Sequence, residues 1–102
     1  MNFLNYTPHV INLNDGTSYT SQGVARVSAS FTSPVNGICS QQFGDVEGLP
    51  EPQENTMYIV SFIVLSAALA QGRTDCVAPA SGHPDTVRNE RGHIVSVPCF
   101  VQ

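Results

Sequence analysis

The chain contains no lysine and no tryptophan, and charge of either sign is scarce: four arginines and eight acidic residues in 102, for a formal net charge of −4. An ordinary soluble domain carries about 25% charged residues, roughly twice the 12% here. A net-negative chain without lysine lacks the electrostatic footprint of a nucleic-acid binder, whose affinity comes mostly from neutralising phosphates. It is equally unsuited to an anionic membrane surface. No apolar run approaches the roughly twenty residues of a membrane span; the longest, Phe62 to Ala70, is interrupted by Ser66. There is no Cys-x-x-Cys pair, and Cys39, Cys76 and Cys99 are odd in number and far apart, so they read as reduced thiols rather than a disulfide framework. Met1 to Asn5 has neither the basic region nor the apolar stretch of a signal peptide. Together these absences lead us to expect a cytoplasmic protein. His9, His83 and His93 have no cysteine at ligand spacing, so no metal site is expected. The missing G-x-G-x-x-G and P-loop lysine leave no familiar cofactor fold, and no cofactor is expected.

What is present reads as one small domain spanning residues 1–102. A chain of this size buries about 60–65% of its unfolded surface, enough for one core but not for a deep cleft. A sizeable ligand site therefore belongs at a rim or between subunits. Asn14-Asp15-Gly16 is a hairpin signal between residues 9–13 and 17–20. Residues 23–31 alternate as a strand with Ala25, Val27, Ala29 and Phe31 on one face and Arg26 on the other. A turn at Ser33–Gly37 returns the chain along residues 38–43. Gly44–Asn55 holds four of the eight acidic residues and two prolines and reads as an irregular loop, although Leu49 is an unusual residue to leave in water. Met57–Val60 reads as a short strand, Ser61 as a helix N-cap, Phe62–Ala70 as a helix and Gly72 as its stop. Because that helix is apolar nearly all round, burial on most sides is expected. Residues 75–78 and a last hairpin pairing 86–88 with 93–97 complete an α+β fold, a curved antiparallel sheet wrapped around one buried apolar helix.

Arginine is the residue of choice where a planar fork must grip a carboxylate or phosphate. Arg73-Thr74-Asp75 follows the helix and admits two readings. Either the pair closes the helix-to-strand turn, or Asp75 orients Arg73 toward an anionic ligand, with Arg88 supplying a second fork. Thr7 and His9, in Asn5-Tyr6-Thr7-Pro8-His9, either fix the chain locally or offer neutral donors to a ligand. With Arg26 and Ser61, these residues form the candidate ligand set: Thr7, His9, Arg26, Ser61, Arg73, Asp75 and Arg88. Tyr6, Tyr58 or Phe100 could stack on a base. Nothing in the spacing marks a catalytic triad, so no catalytic residue is assigned.

Several of these stretches, taken in order, resemble a family of small accessory proteins of tailed bacteriophages and prophages. Its members open on a pattern like Asn-Leu-Thr-Pro-His, here Asn5-Tyr6-Thr7-Pro8-His9 with tyrosine for leucine. The likeness continues at Gly48-Leu49-Pro50-Glu51-Pro52, Tyr58-Ile59-Val60-Ser61, Arg73-x-Asp75, Pro79, Arg88-Asn89 and Gly92-x-Ile94. It weakens over Thr17–Gln42, where only Gly23 and Arg26-Val27 match. No activity comes with the resemblance; it implies a phage accessory protein acting inside an infected cell. The expected function is non-catalytic capture of a small anionic, nucleotide-derived ligand, such as a cyclic nucleotide-type signal, by a homo-oligomer. The alternatives are a protein-interaction module acting through the acidic Gly44–Asn55 loop and a small hydrolase using His9 with Asp75.

Overall fold

A computed structural model describes all 102 residues. Its strands are β1 (Asn2–Asn5), β2 (Ile11–Asn12), β3 (Ser18–Tyr19), β4 (Arg26–Phe31), β5 (Gln41–Glu47) and β6 (Thr56–Ile59). After the helix α1 (Phe62–Ala70) come β7 (Cys76–Pro79), β8 (Val87–Arg88), β9 (Ile94–Ser96) and β10 (Phe100–Val101). The fold is α+β, with one short helix and several small sheets.

The central sheet has the order β1-β6-β7-β10. β1 runs parallel to β6, from Asn2 opposite Thr56 to Asn5 opposite Ile59. β6 runs parallel to β7, and only the β7–β10 pair is antiparallel. This corrects the expected all-antiparallel sheet. Parallel neighbours need a long crossover, and α1 supplies the one between β6 and β7. The other ribbons, β2–β3, β4–β5 and β8–β9, are antiparallel pairs. The turn at Asn14–Gly16 and the Asn36-Gly37 turn bridging Val35 and Ile38 sit where the sequence places them.

Ser61 caps α1, its hydroxyl oxygen accepting the Val64 N–H at 3.4 Å. At the other end Gly72 adopts φ +86°, the Arg73 N–H donates to the Ala68 carbonyl at 2.9 Å, and the Gly72 N–H donates to Leu69 at 3.0 Å. This pair of bonds is the Schellman closure. The helix is nevertheless not enclosed. Val64, Leu65 and Ala68 are buried, but Phe62, Ile63 and Leu69 are exposed. α1 packs against β7 and against the inner part of β4–β5, which covers one side only. The core cluster joins those helical residues to Ala25, Tyr58, Val60, Cys76 and Ala78, with Leu4, Tyr6, Val27, Val46, Leu49 and Val101 packed on it.

β5 continues through Asp45, Val46 and Glu47, so the stretch expected to be irregular begins as a strand. The turn that follows depends on Gly48, whose φ is +80° and whose missing side chain lets the Val24 carbonyl approach; a β-carbon there would collide with that oxygen. Gly48→Ala should therefore cost about 2 kcal/mol or more, read as a drop of roughly 8 °C or more in Tm. Gly82→Ala, where the added methyl meets nothing within 4 Å, should leave Tm within about 4 °C of wild type. Equal melting of the two variants would contradict this role for Gly48.

Candidate functional site

The Asn5-Tyr6-Thr7-Pro8-His9 motif is a knot of hydrogen bonds. Asn5 is 1% exposed. Its amide Nδ2 donates to the carbonyls of His9 at 2.7 Å and Tyr19 at 2.9 Å. Its Oδ1 accepts the Thr7 backbone N–H at 2.9 Å and lies 2.7 Å from the Thr7 hydroxyl, which is also 3.0 Å from the His9 carbonyl. Thr7 is thus buried and committed to structure, which removes it from the expected ligand set. The knot ties β1 to β3 and turns the chain so that His9 lies at the rim of a cavity.

That cavity, of about 370 Å³, lies at the carboxyl ends of the parallel strands β6 and β7. His9–Asn12 forms one rim and Ile94–Val97 a neighbouring one; Pro79 and Ser81 continue from the end of β7, and Ser61 with Phe62 forms the helix side. The rims are joined to each other. The Val97 N–H donates to Asn12 at 3.0 Å and the Asn14 N–H to Val97 at 2.9 Å, while the Ser96 hydroxyl donates to Asn14 Oδ1 at 2.5 Å. Parallel strands with a crossover helix commonly offer a ligand crevice at this place. The first N–H groups of a helix have no intrahelical partner and favour negative charge. The lining combines apolar Val10, Ile11, Phe62, Ile94 and Val95 with the polar groups of His9, Ser61 and Ser81. It can take a flat or apolar body with one polar end.

Arg73 and Arg88 do not converge on this cavity. Arg73 donates through Nε and Nη2 to both Asp75 carboxylate oxygens at 2.8 and 2.7 Å, and through Nη2 to the Pro50 carbonyl at 2.9 Å. Its guanidinium also lies 6.0 Å from the centre of the Tyr58 ring. Arg88 donates to the carbonyls of Gly92 at 2.9 Å and Ser81 at 3.2 Å. Asp75 precedes β7 and Ser81 follows it, so the two guanidinium groups are anchored at opposite ends of a four-residue strand, which itself spans about 13 Å at roughly 3.3 Å per residue. Within one chain they form no common anion site, which corrects the expected pairing. His9 and Asp75 are separated in the same way and make no acid–base pair. Arg26 is exposed and stands opposite Glu47 on the ribbon, away from the cavity lining.

The aromatic side chains expected to stack on a base are also engaged. Tyr58 is buried, packs edge-on to Tyr6 with centroids 5.5 Å apart, and donates from its hydroxyl to the Glu51 carbonyl at 3.0 Å. Phe100 packs against Phe3 and Tyr19. The free ring at the cavity is Phe62, at the first helical position. Its signal in the sequence was a large apolar residue placed directly after an N-cap. The acidic loop is likewise tied down: Arg73 holds Pro50, Tyr58 holds Glu51, and Leu49 packs on the core. Leu49 therefore offers no exposed anchor for a partner protein. No group of three or more His, Cys, Asp or Glu side chains is placed to hold a metal ion, and no helix is long and apolar enough to cross a membrane.

The Arg73 hydrogen bonds hold the Asp75 carboxyl below its ordinary pKa, and burial pushes the Cys76 thiol up to about 11. A lowered carboxylate pKa stabilises the fold in full above the unfolded value, near pH 4, and that stability is lost as pH falls through the folded pKa. Arg73→Ala should cost about 2 kcal/mol at pH 7, a fall in Tm of roughly 8–16 °C. The gap to wild type should shrink as acid protonates Asp75, below the pH at which an ordinary carboxylate titrates; a gap unchanged by acid would refute the pairing. Asn5→Ala, which strands several buried partners, should cost about 3 kcal/mol, measured by urea unfolding. Asn5→Asp sets a carboxylate against two carbonyls, so acidification should recover part of its loss, whereas a monotonic loss with acid would contradict the donor assignment.

In comparisons with protein-family models, curated proteins and solved structures, none matches this chain.

Proposed function

We propose that the chain is a non-catalytic binder of a small, ring-bearing, nucleotide-derived anion. The ring would lie on Phe62 and the apolar rim residues, with the anionic end toward the helix N-terminus, Ser61 and His9. The observation that carries this reading is the 370 Å³ cavity at the carboxyl ends of β6 and β7, which falls within the size range of small-ligand sites. Phosphate recognition here would use helix N–H groups and neutral donors in place of arginine forks. Arg88 would act at one remove, by holding the β8–β9 turn against Ser81. Capture without conversion is favoured because His9 stands apart from Asp75, the carboxylate with which the hydrolase reading would pair it. The resemblance to phage accessory proteins supplies the setting: sequestration of a host signal in the cytoplasm of an infected cell.

Native mass spectrometry of the purified protein, followed by calorimetric titration with nucleoside monophosphates and cyclic dinucleotides, tests the proposal. Base stacking contributes about 1–3 kcal/mol, so Phe62→Ala should weaken binding roughly five- to a hundredfold. Arg26→Ala, remote from the cavity, should leave it unchanged. Failure of every such ligand to bind, or equal affinity in wild type and Phe62→Ala, would overturn it.

A further inference from the structure

The β4–β5 ribbon outruns the body on which it packs. At its base Val27 and Val46 pair and rest on the core. Further out, Ala29 stands opposite Phe43 and Phe31 opposite Gln41, and the ribbon closes at the tip through Val35 and Ile38. Partners directly across a ribbon share a face, so beyond a register shift after Val27 the inner face continues outward as Ala29 and Phe43, which borders Ala67 and Ala70 of α1, and then as Phe31 and Gln41, past the reach of the helix. Every residue from Ser28 to Asp45 is exposed; Phe31, Val35 and Ile38 are 66%, 68% and 72% exposed. No charged residue occurs from Val27 to Gly44.

An isolated two-stranded ribbon is at best marginally stable in water. Natural edge strands are usually blunted by charge or proline, but this arm has no charge and its only proline, Pro34, is at the tip. The whole chain exposes 6636 Å², against about 5,600 Å² expected of a folded monomer of this mass, an excess of about 1,000 Å². Its radius of gyration is 15.4 Å, against about 13 Å for a compact domain of this length. A standard interface buries about 800 Å² on each partner. The surplus surface is that of half an interface.

We infer that the outer arm of β4–β5 is the docking surface for a second copy of this chain, the two arms packing on their apolar faces about a two-fold axis. A two-fold contact requires a self-complementary surface, which an uncharged apolar ribbon provides. Two chains of net charge −4 meet there without setting carboxylates against each other. A partner recognised through complementary charge would find nothing on the arm to read. This inference is independent of the ligand cavity, which lies on other elements.

Light scattering and sedimentation equilibrium of the full chain at micromolar concentration test it. Wild type should have twice the 10.9 kDa mass of one chain. Phe31→Asp combined with Ile38→Asp should be monomeric, with an unchanged circular dichroism spectrum. Val87→Asp, at an exposed apolar residue off the arm, should remain dimeric. The milder pair Phe31→Ser and Phe43→Ser should raise the dimer dissociation constant at least about tenfold, which keeps the test open should the aspartate pair unfold. A monomeric wild type, a mass other than twice that of the chain, or folded arm variants that stay fully associated would overturn the inference.

Discussion

One buried amide orders the amino-terminal half of the molecule. Asn5 closes the end of β1, receives Thr7, and binds the carbonyls of His9 and Tyr19. Its own backbone carbonyl accepts the Gln22 N–H. A primary amide has two donors and an acceptor with two lone pairs, and here they meet two stretches of chain, Thr7–His9 and Tyr19, that have no regular ladder in common. The β2–β3 hairpin is therefore fixed to the central sheet by a side chain more than by strand pairing. Through that attachment it forms one wall of the cavity. The motif that read as a candidate ligand set is in part the framework that places a rim of the cavity.

The few arginines serve a related purpose. Arg73 secures the Pro50 loop, and with it Leu49, to the end of α1, while Arg88 secures the last hairpin to Ser81. Both grip backbone carbonyls in segments where no helix or sheet consumes them. Such carbonyls would otherwise be satisfied only by water. A five-donor fork can hold one while also meeting a carboxylate, as at Asp75; a lysine ammonium lacks that planar geometry. This accounts for keeping arginine and omitting lysine in a chain so sparing with charge.

The sequence made legible whatever is decided locally. Ser61, the Phe62–Ala70 segment and Gly72 define a helix with both ends correct, because capping is chemistry within a few residues. Asn14–Gly16 and Asn36-Gly37 mark their turns for the same reason. β1, β10 and the parallel order were not legible, since Asn2–Asn5 and Phe100–Val101 are too short to show alternation and their partners are distant in the chain. The alternation from Ala25 to Phe31 located the inward face but not the point at which there ceased to be a core to face. The all-round apolarity of α1 misled similarly: Ile63 and Leu69 look like core residues, yet no element covers them. The cavity was hidden because its walls are four segments brought together only by the parallel sheet.

The pairing of β1 with β6 also bears on how the molecule is made. Asn2 meets Thr56, so the first strand cannot enter the sheet until more than half the chain is available. Contacts of such long sequence separation are slow to form, whereas the β4–β5 hairpin and the β6–α1–β7 crossover close within short stretches. On loop length alone, the ribbon and the crossover are expected to close before β1 joins the sheet. The Asn5 amide can meet Thr7, His9 and Tyr19 early, since all lie within 14 residues of it, but the pocket wall it braces stays unattached to the sheet until β1 pairs with β6.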